Sequence, residues 1–523
     1  VILDHSEASE NRKCLQALHA TDPRRDKSRI ETIKGGLLED AYNWVFDNAE
    51  FKRWCHDQES QLLWIKGDPG KGKTMLLCGI INELTKSALA SDTTVVFFFC
   101  QATDARINHA TAILRGLIFM LVDQHPALVS HVRREYDKAG EKVFKDANAW
   151  EALLGILTSI LRDPLLQTTY LIIDALDECT AGLSRLLDFI VEKSSFYPHV
   201  KWLVSSRNWP SIERTLETAP RKERLCLELN EASVSKAVAS FIHRKVQTLK
   251  SKKNYSDDIR DAVTEHLLAN AHGTFLWVAL VCEELAKFNV SRRAVQRKLK
   301  EFPAGLDQLY QRMLDQIGES EDAELCKSIL SVSMTVYRPI TLDELGSYID
   351  FPDDIELSDL EEIIGLCGSF LTLRGSTIFL VHQSAKDFLR REAVREIFPH
   401  GEVFVHHSIF SKSLEAMNRT LRRDIYGLVY PGYPIERVKP PDPEPLAAIQ
   451  YACLYWVDHL QMGSRQVGAN VPDDLEESGL VDTFFRKNYL YWLEAISLLR
   501  SLSEGLASML RLEHWIKVRT YTH

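Results

Sequence analysis

The 523-residue chain has no long apolar run, no paired cysteines and no excess of basic charge. Its longest apolar stretches are Val95–Cys100 and Phe275–Cys282. A membrane-spanning helix needs about 20 such residues. The first stretch is only strand-length, and Glu283 and Glu284 close off the second, so no membrane span is expected. The ten cysteines, Cys14, Cys55, Cys78, Cys100, Cys179, Cys226, Cys282, Cys326, Cys367 and Cys453, include no CxxC pair and sit mostly among apolar neighbours. They read as small buried hydrophobes of a reducing compartment, not as zinc ligands or disulfides. With 24 glycines and 18 prolines, the chain has too few of either for collagen, a low-complexity linker or a largely disordered protein. A net charge of −10 is not that of a protein built around nucleic acid. No internal repeat is visible. The chain begins at Val1 without a signal-peptide pattern, so it reads as a cytoplasmic fragment of a longer protein.

What is present is an alternation of strands and helices followed by helices alone. Leu37–Phe46 is amphipathic, and Glu50–Cys55 reads as its continuation. Gln61–Lys66, Thr93–Cys100, Tyr170–Asp174, Val200–Ser205 and a weaker Leu225–Leu229 are apolar, β-branched runs of strand length. Helical segments Lys73–Lys86, His109–Leu121, Trp150–Leu161 and Leu183–Lys193 separate them. The alternation predicts a parallel five-stranded α/β sheet with helices on both faces. From about residue 230 the pattern is helical, with a hairpin of Phe370–Leu373 and Thr377–Val381 around Gly375 after a helix at Thr341–Ile349, a winged-helix pattern. Pro431–Pro445 reads as a loop. The expected divisions are a helical segment at 1–58, an α/β core at 59–229, a helical lid at 230–302, a winged helix at 303–400 and an all-α domain at 401–523.

The residues that carry chemistry begin at Gly67-Asp68-Pro69-Gly70-Lys71-Gly72-Lys73-Thr74, a GxxxxGK[ST] loop between a strand and a helix. The glycines let the loop curl until successive backbone N–H groups point at phosphate oxygens, and the helix N-terminus adds its positive end. Lys73 would reach the β- and γ-phosphates, and the Thr74 hydroxyl would ligate Mg²⁺. Next, Tyr170-Leu171-Ile172-Ile173-Asp174 is an apolar strand ending in an acid suited to the Mg²⁺ shell. Asp177 and Glu178 follow, placed to orient or deprotonate a water. Arg207, at the end of the next strand, is a cation suited to the γ-phosphate. Other features have plainer readings. Lys250-Ser251-Lys252-Lys253 reads as a solvated loop, His406-His407 lacks ligand-spaced partners for a metal, and the Trp and Tyr residues at 451–456 and 489–492 read as core or partner-facing positions.

In this order, the strings LLWIKGDPGKGKT, LIIDALDEC, KWLVSSRNWP, HGTFLWVALVCEEL and FLVHQSAKDFL resemble the NACHT group of STAND signalling NTPases, closest to the fungal vegetative-incompatibility type. The resemblance covers nearly the whole chain. It implies a Walker A lysine and magnesium ligand at Lys73 and Thr74, a Walker B acid at Asp174, an additional acidic pair at Asp177 and Glu178, and a sensor arginine at Arg207. It also implies that His382, for which the neighbouring Gln383 and Ser384 give no local reason, touches the ADP β-phosphate in a closed state. The family's GxP stretch corresponds to Gly273-Thr274-Phe275, which lacks the proline and leaves the adenine contact unassigned.

The function expected is a switch that binds ATP or ADP with Mg²⁺, hydrolyses slowly and self-associates through the NTPase module on nucleotide exchange. Its effector and sensor domains would lie outside this sequence. Two alternatives stand beside it. A turnover ATPase motor would need an arginine finger and pore loops, neither of which is identifiable. A nucleotide-stabilised scaffold would assemble alike with ADP and ATP.

Overall fold

The computed structural model describes residues 2–520 except 20, 89–91, 147, 221, 288–289, 351–356, 368–369, 429–432, 465–474 and 476–478. Its contacts divide the chain into two compact units, Val1–Leu309 and Tyr310–His523.

The first unit opens with α1 (Ile2–Leu18) and α2 (Pro23–Ile33). The amphipathic stretch after them is not one helix. One turn, α3 (Glu39–Tyr42), passes into a 3₁₀ turn, and a fresh helix, α4 (Ala49–His56), follows. Asn48 causes the break: its backbone is extended and its side chain accepts from Phe51 N at 3.0 Å, the N-cap arrangement that starts a new helix.

Then come β1 (Leu62–Lys66), α5 (Lys73–Ala88), β2 (Thr94–Phe99), α6 (Ala110–Gln124), α7 (Val129–Ala139), α8 (Ala149–Leu161), β3 (Thr169–Asp174), α9 (Leu183–Ser194), β4 (Val200–Ser206), α10 (Pro210–Leu216) and β5 (Lys222–Cys226). They form a five-stranded parallel sheet in the order β2-β3-β4-β1-β5. Every residue of β2, β3 and β4 is buried, as expected of a sheet covered on both faces. The fifth strand lies three residues earlier than the apolar run suggested. It is an edge strand, and its first half, Lys222-Glu223-Arg224, carries the charges that edges use against unwanted pairing. In a parallel sheet all strands end on one side, and ligands bind there. Lys66, Phe99, Asp174, Ser206 and Cys226 are the strand ends at that edge.

The unit closes with α11 (Glu231–Lys253), α12 (Asp257–Asn270), α13 (Phe275–Ala286) and α14 (Val295–Lys300), and α15 (Leu306–Gly318) begins before its boundary. The Lys250–Lys253 run is not a loop but the last turn of α11, where cations meet the helix C-terminal carbonyls. The fully buried Trp277 of α13 donates its indole N–H to Pro303 O at 2.9 Å.

In the second unit, α16 (Ala323–Thr335) leads to β6 (Ile340–Thr341), α17 (Leu342–Leu345), α18 (Leu357–Leu366), β7 (Leu371–Arg374), β8 (Thr377–Leu380) and α19 (Gln383–Arg391). The expected hairpin is there, with Gly375 at φ +56°. β6, too short to read from sequence, adds a third antiparallel strand in the order β6-β8-β7. The helix expected at Thr341–Ile349 is a single turn, closed by a capping box between Thr341 and Glu344. Then α20 (Val394–Ile397), α21 (Glu402–Thr420), α22 (Gln450–Gly463), α23 (Leu480–Leu498) and α24 (Leu502–Thr520) complete it. Residues 431–432 of the proline-rich stretch lie outside the described residues, and the rest of it up to Pro445 holds one 3₁₀ turn, Ile435–Arg437.

In the C-terminal helices Phe410, Trp456, Phe484 and Trp492 are fully buried together, with Tyr489 and Tyr491 partly buried against them, whereas Phe404 is exposed. Each large apolar side chain removed from water contributes about 1.5–3 kcal/mol. All ten cysteines are free, and every one but Cys55 is buried. Among the described residues no helix is long and apolar enough to cross a membrane.

Candidate functional site

At the carboxyl edge of the sheet, β1 ends and Gly67–Thr74 curls into the N-terminus of α5. Gly70 and Gly72 have φ of +78° and +87°, which L side chains avoid. A Cβ on Gly70 would lie 2.8 Å from Thr274 Cγ2, and one on Gly72 2.9 Å from the Phe275 ring. At these two positions the loop is therefore bare backbone, lined on its outer side by the start of α13. The Lys73 ammonium donates to Gly67 O at 2.5 Å and Asp68 O at 3.0 Å. Burial lowers its pKa, and the negative charges of Asp177, Asp174 and Glu228 oppose the shift. A buried cation whose hydrogen bonds go to neutral carbonyls is electrostatically suited to an anion.

Asp174 ends β3 and is 2% exposed. Ser205 Oγ donates to its Oδ1 at 2.6 Å and accepts from Ala175 N at 2.9 Å. Burial raises the Asp174 pKa, with hydrogen bonds from Ser205 and Thr74 opposing. The Thr74 hydroxyl and the Asp174 carboxylate thus meet, a pair of hard oxygen donors of the kind Mg²⁺ takes alongside phosphate oxygens. Among the described residues no cluster of three or more His, Cys, Asp and Glu forms. A Mg²⁺ site fits these residues because it needs only one or two protein carboxylates.

After Asp174 the chain turns sharply at Ala175, whose φ of +55° puts a non-glycine in the left-handed region at a cost of about 1–2 kcal/mol. The turn brings Asp177 and Glu178 back to the strand end in a 3₁₀ turn. Their surroundings differ. Asp177 gives both oxygens to Arg207, accepting from its backbone N at 3.0 Å and its Nε at 3.0 Å. Glu178 Oε2 accepts from Ala102 N at 3.0 Å. Burial, with the negative charge of Asp177, pushes the Glu178 carboxyl up to about 7, close to the pH at which a general base works best.

The structure therefore brings Lys73, Thr74, Asp174, Asp177, Glu178 and Arg207 to one strand edge. It turns the side chain of Lys71 outward, where its amine donates to His272 O at 2.8 Å. His382 belongs to the second unit and has a local job there. It is the N-cap of α19: its Nδ1 accepts from Ser384 N at 3.1 Å and lies 2.8 Å from Ser384 Oγ, which in turn is 3.0 Å from Tyr310 Oη. The local reason for an imidazole that the sequence did not reveal is this cap.

Sequence reasoning missed Ser205, Asn208 and Glu228, and for the Gly273-Thr274-Phe275 stretch it missed the packing of His272–Leu276 against the loop. Glu228 Oε1 accepts from Asp68 N at 2.6 Å, and Asn208 Nδ2 donates to Asp68 Oδ1 at 3.0 Å, so the loop's first turn is clasped from two strand ends. Burial alone would raise the Glu228 pKa, but hydrogen bonds to its carboxylate from Asp68 N, the Cys226 thiol and the Asn208 side chain hold it below the usual value. The available signal was position: Ser205 and Asn208 flank Arg207, and Glu228 follows the fifth strand.

Residues 40–207 match a family model described as Nephrocystin 3, N-terminal. The chain is 52% identical over 514 residues to the vegetative incompatibility protein HET-E-1 of Podospora anserina, an alignment covering 96% of this chain and 38% of that protein. The chain thus spans well under half the length of this relative. Solved structures with weaker similarity include a Walker-type ATPase of Pyrococcus abyssi, with 12% identity, a TM-score of 0.32 and coverage of 65% of this chain and 93% of that one. The RuvB Holliday junction branch migration motor of Thermotoga maritima has 17% identity, a TM-score of 0.28 and coverage of 68% and 95%.

Proposed function

The chain belongs with the NACHT-type P-loop NTPases of fungal vegetative incompatibility, and on that premise we propose that it is a signalling switch operated by ATP and ADP. Bound ADP holds the module closed, and exchange for ATP opens it and allows self-association, in incompatibility, innate immunity or programmed cell death. The observation that carries the reading is the convergence of the Gly67–Thr74 loop, Asp174, Glu178 and the Asp177–Arg207 pair at the carboxyl edge of one parallel sheet.

Roles follow from the surroundings. The backbone of Gly67–Thr74 wraps the phosphates, and Lys73 exchanges its carbonyl partners for phosphate oxygens. Thr74 and Asp174 hold Mg²⁺, which neutralises charge on the phosphates when bound. Glu178, with its raised pKa, takes a proton from the attacking water. Asp177 fixes Arg207, whose guanidinium meets the γ-phosphate charge. Turnover is slow, since the output is a conformation. The finer division at 58, 229, 302 and 400 belongs to this proposal, as does a latch in which His382 reaches the ADP β-phosphate. Because Nδ1 of His382 caps α19, a contact to the phosphate would be made through Nε2.

The test is the nucleotide that co-purifies with the chain, followed by the ADP off-rate of His382→Ala. Bound ADP, released roughly tenfold or more faster by the variant, is the expected result, because one hydrogen bond to a charged group is worth about 1.5–3 kcal/mol. A folded variant with the wild-type off-rate removes the latch. A chain that purifies without nucleotide and binds none removes the switch.

A further inference from the structure

In the P-loop lysine Lys71, backbone and side chain face different partners. Its backbone belongs to the curl that, on the reading above, surrounds phosphates. Its ammonium reaches out to His272 O at 2.8 Å, just ahead of α13. That junction is unusual in its backbone. His272 and Gly273 are consecutive left-handed residues, with φ of +45° and +65°. A left-handed non-glycine persists only where its surroundings over-determine it.

The contact is also close-packed. A Cβ on Gly273 would sit 3.2 Å from Lys71 Nζ. Thr274 Cγ2 and Leu276 Cβ lie 2.8 Å and 3.0 Å from the place a Cβ on Gly70 would occupy, and the Phe275 ring covers Gly72. Leu276 N donates to Gly70 O at 3.4 Å. Phe275 is in turn held edge-on by Phe241 of α11, at 5.4 Å between centroids. The segment 272–276 therefore forms the outer wall of the phosphate loop. Any change in the curl of Gly70–Gly72 is met by the first turn of α13.

We propose that Lys71 is a positioning residue that couples the phosphate loop to the helical lid by holding the His272 carbonyl at the strained turn into α13. This rests on the nucleotide-switch reading and deepens it, because a switch needs a path by which bound phosphate reaches the lid. Lys73 and Lys71 divide the work: the amine of Lys73 stays inside the loop, and that of Lys71 ties the loop's outer side to the lid.

The experiment uses the whole chain and reads amide hydrogen exchange of residues 275–286 with and without saturating ADP, together with the ADP off-rate. Wild type is expected to show slower exchange in 275–286 when ADP is bound. In Lys71→Met saturating ADP no longer slows that exchange, and the off-rate rises roughly tenfold, within the usual range for coupling between sites. Gly273→Ala, which pushes on the same ammonium from the lid side, gives the same loss, and Lys71→Arg, which keeps a cationic donor, recovers part of the ADP-dependent protection. A merely structural Lys71 would instead lower the melting temperature alike with and without ADP and leave the ADP-dependent difference intact.

Variants with wild-type protection and off-rate overturn the coupling while leaving the P-loop reading in place. So does a wild type that binds ADP without protecting 275–286. A wild type that binds no ADP overturns the switch reading, and the coupling falls with it.

Discussion

The two units bury polar groups in different ways. In the second, Arg338 and the 1%-exposed Glu344 pair through two hydrogen bonds, at 2.9 and 2.6 Å, and Glu344 also accepts from Thr341 N and Tyr451 N. Beside them Tyr451 Oη accepts from Tyr337 N at 2.9 Å and lies 2.8 Å from His459 Nε2, and His459 Nδ1 lies 2.9 Å from His406 Nδ1. The His406-His407 pair singled out in the sequence therefore contributes one member to a buried network rather than to a metal site. In the first unit the polar groups of the P-loop edge are left in costlier settings. Lys73 is buried against carbonyls, Asp174 and Glu178 have raised pKa values, and Ala175 sits in a left-handed turn. Reciprocal partners fix a fold, whereas buried charges held short of neutralisation are what a ligand site looks like before its ligand is counted.

That contrast can be broken most forcefully at Glu178. Glu178→Gln keeps the shape and removes the base, so ATP hydrolysis falls about a hundred- to ten-thousandfold while ATP still binds. Single-turnover assays check this, and a wild-type rate removes the water-activating role. In the second unit, Glu344→Ala leaves Arg338 without its carboxylate and costs about 3–5 kcal/mol of stability. Denaturant unfolding reads that loss, and a change under about 1 kcal/mol would mean the network does not fix the fold. Lys73→Ala costs about 2–4 kcal/mol of nucleotide affinity by calorimetry, with little change in folding stability. If it weakened folding as much as Glu344→Ala does, the two units would not differ in kind. The mildest effect is on pH. Glu178 accepts a proton only when ionised, so hydrolysis falls about tenfold per unit as pH drops below the carboxyl's value of about 7. A flat profile from pH 6 to 8 contradicts that assignment.

What could be read in the sequence was what is local. The Gly67–Thr74 loop, the strand ending at Asp174 and the Arg207 strand end are contiguous patterns whose spacing follows from a strand–turn–helix geometry, and the sheet appeared because its strands are continuously apolar. The rest depends on partners distant in the chain. Glu228 meets Asp68 across 160 residues and Lys71 meets His272 across 201, and no periodicity reports such contacts. β5 was misplaced because an edge strand is charged, and the helix through residues 37–55 was joined because amphipathic spacing continues across the Asn48 cap. His382 shows the converse: the sequence suggested a purpose for it, and the structure adds a local one, since an imidazole can cap a helix as Ser or Asn does.

The central claim, that the phosphate state of one bound nucleotide sets the assembly of the chain, is tested most directly by sedimentation velocity of the wild-type chain. One sample holds saturating Mg-ADP and the other a non-hydrolysable ATP analogue with Mg²⁺. A single slow species with ADP and a shift to larger species with the analogue is the expected result. Identical sedimentation in both, with both nucleotides shown to be bound, would contradict it.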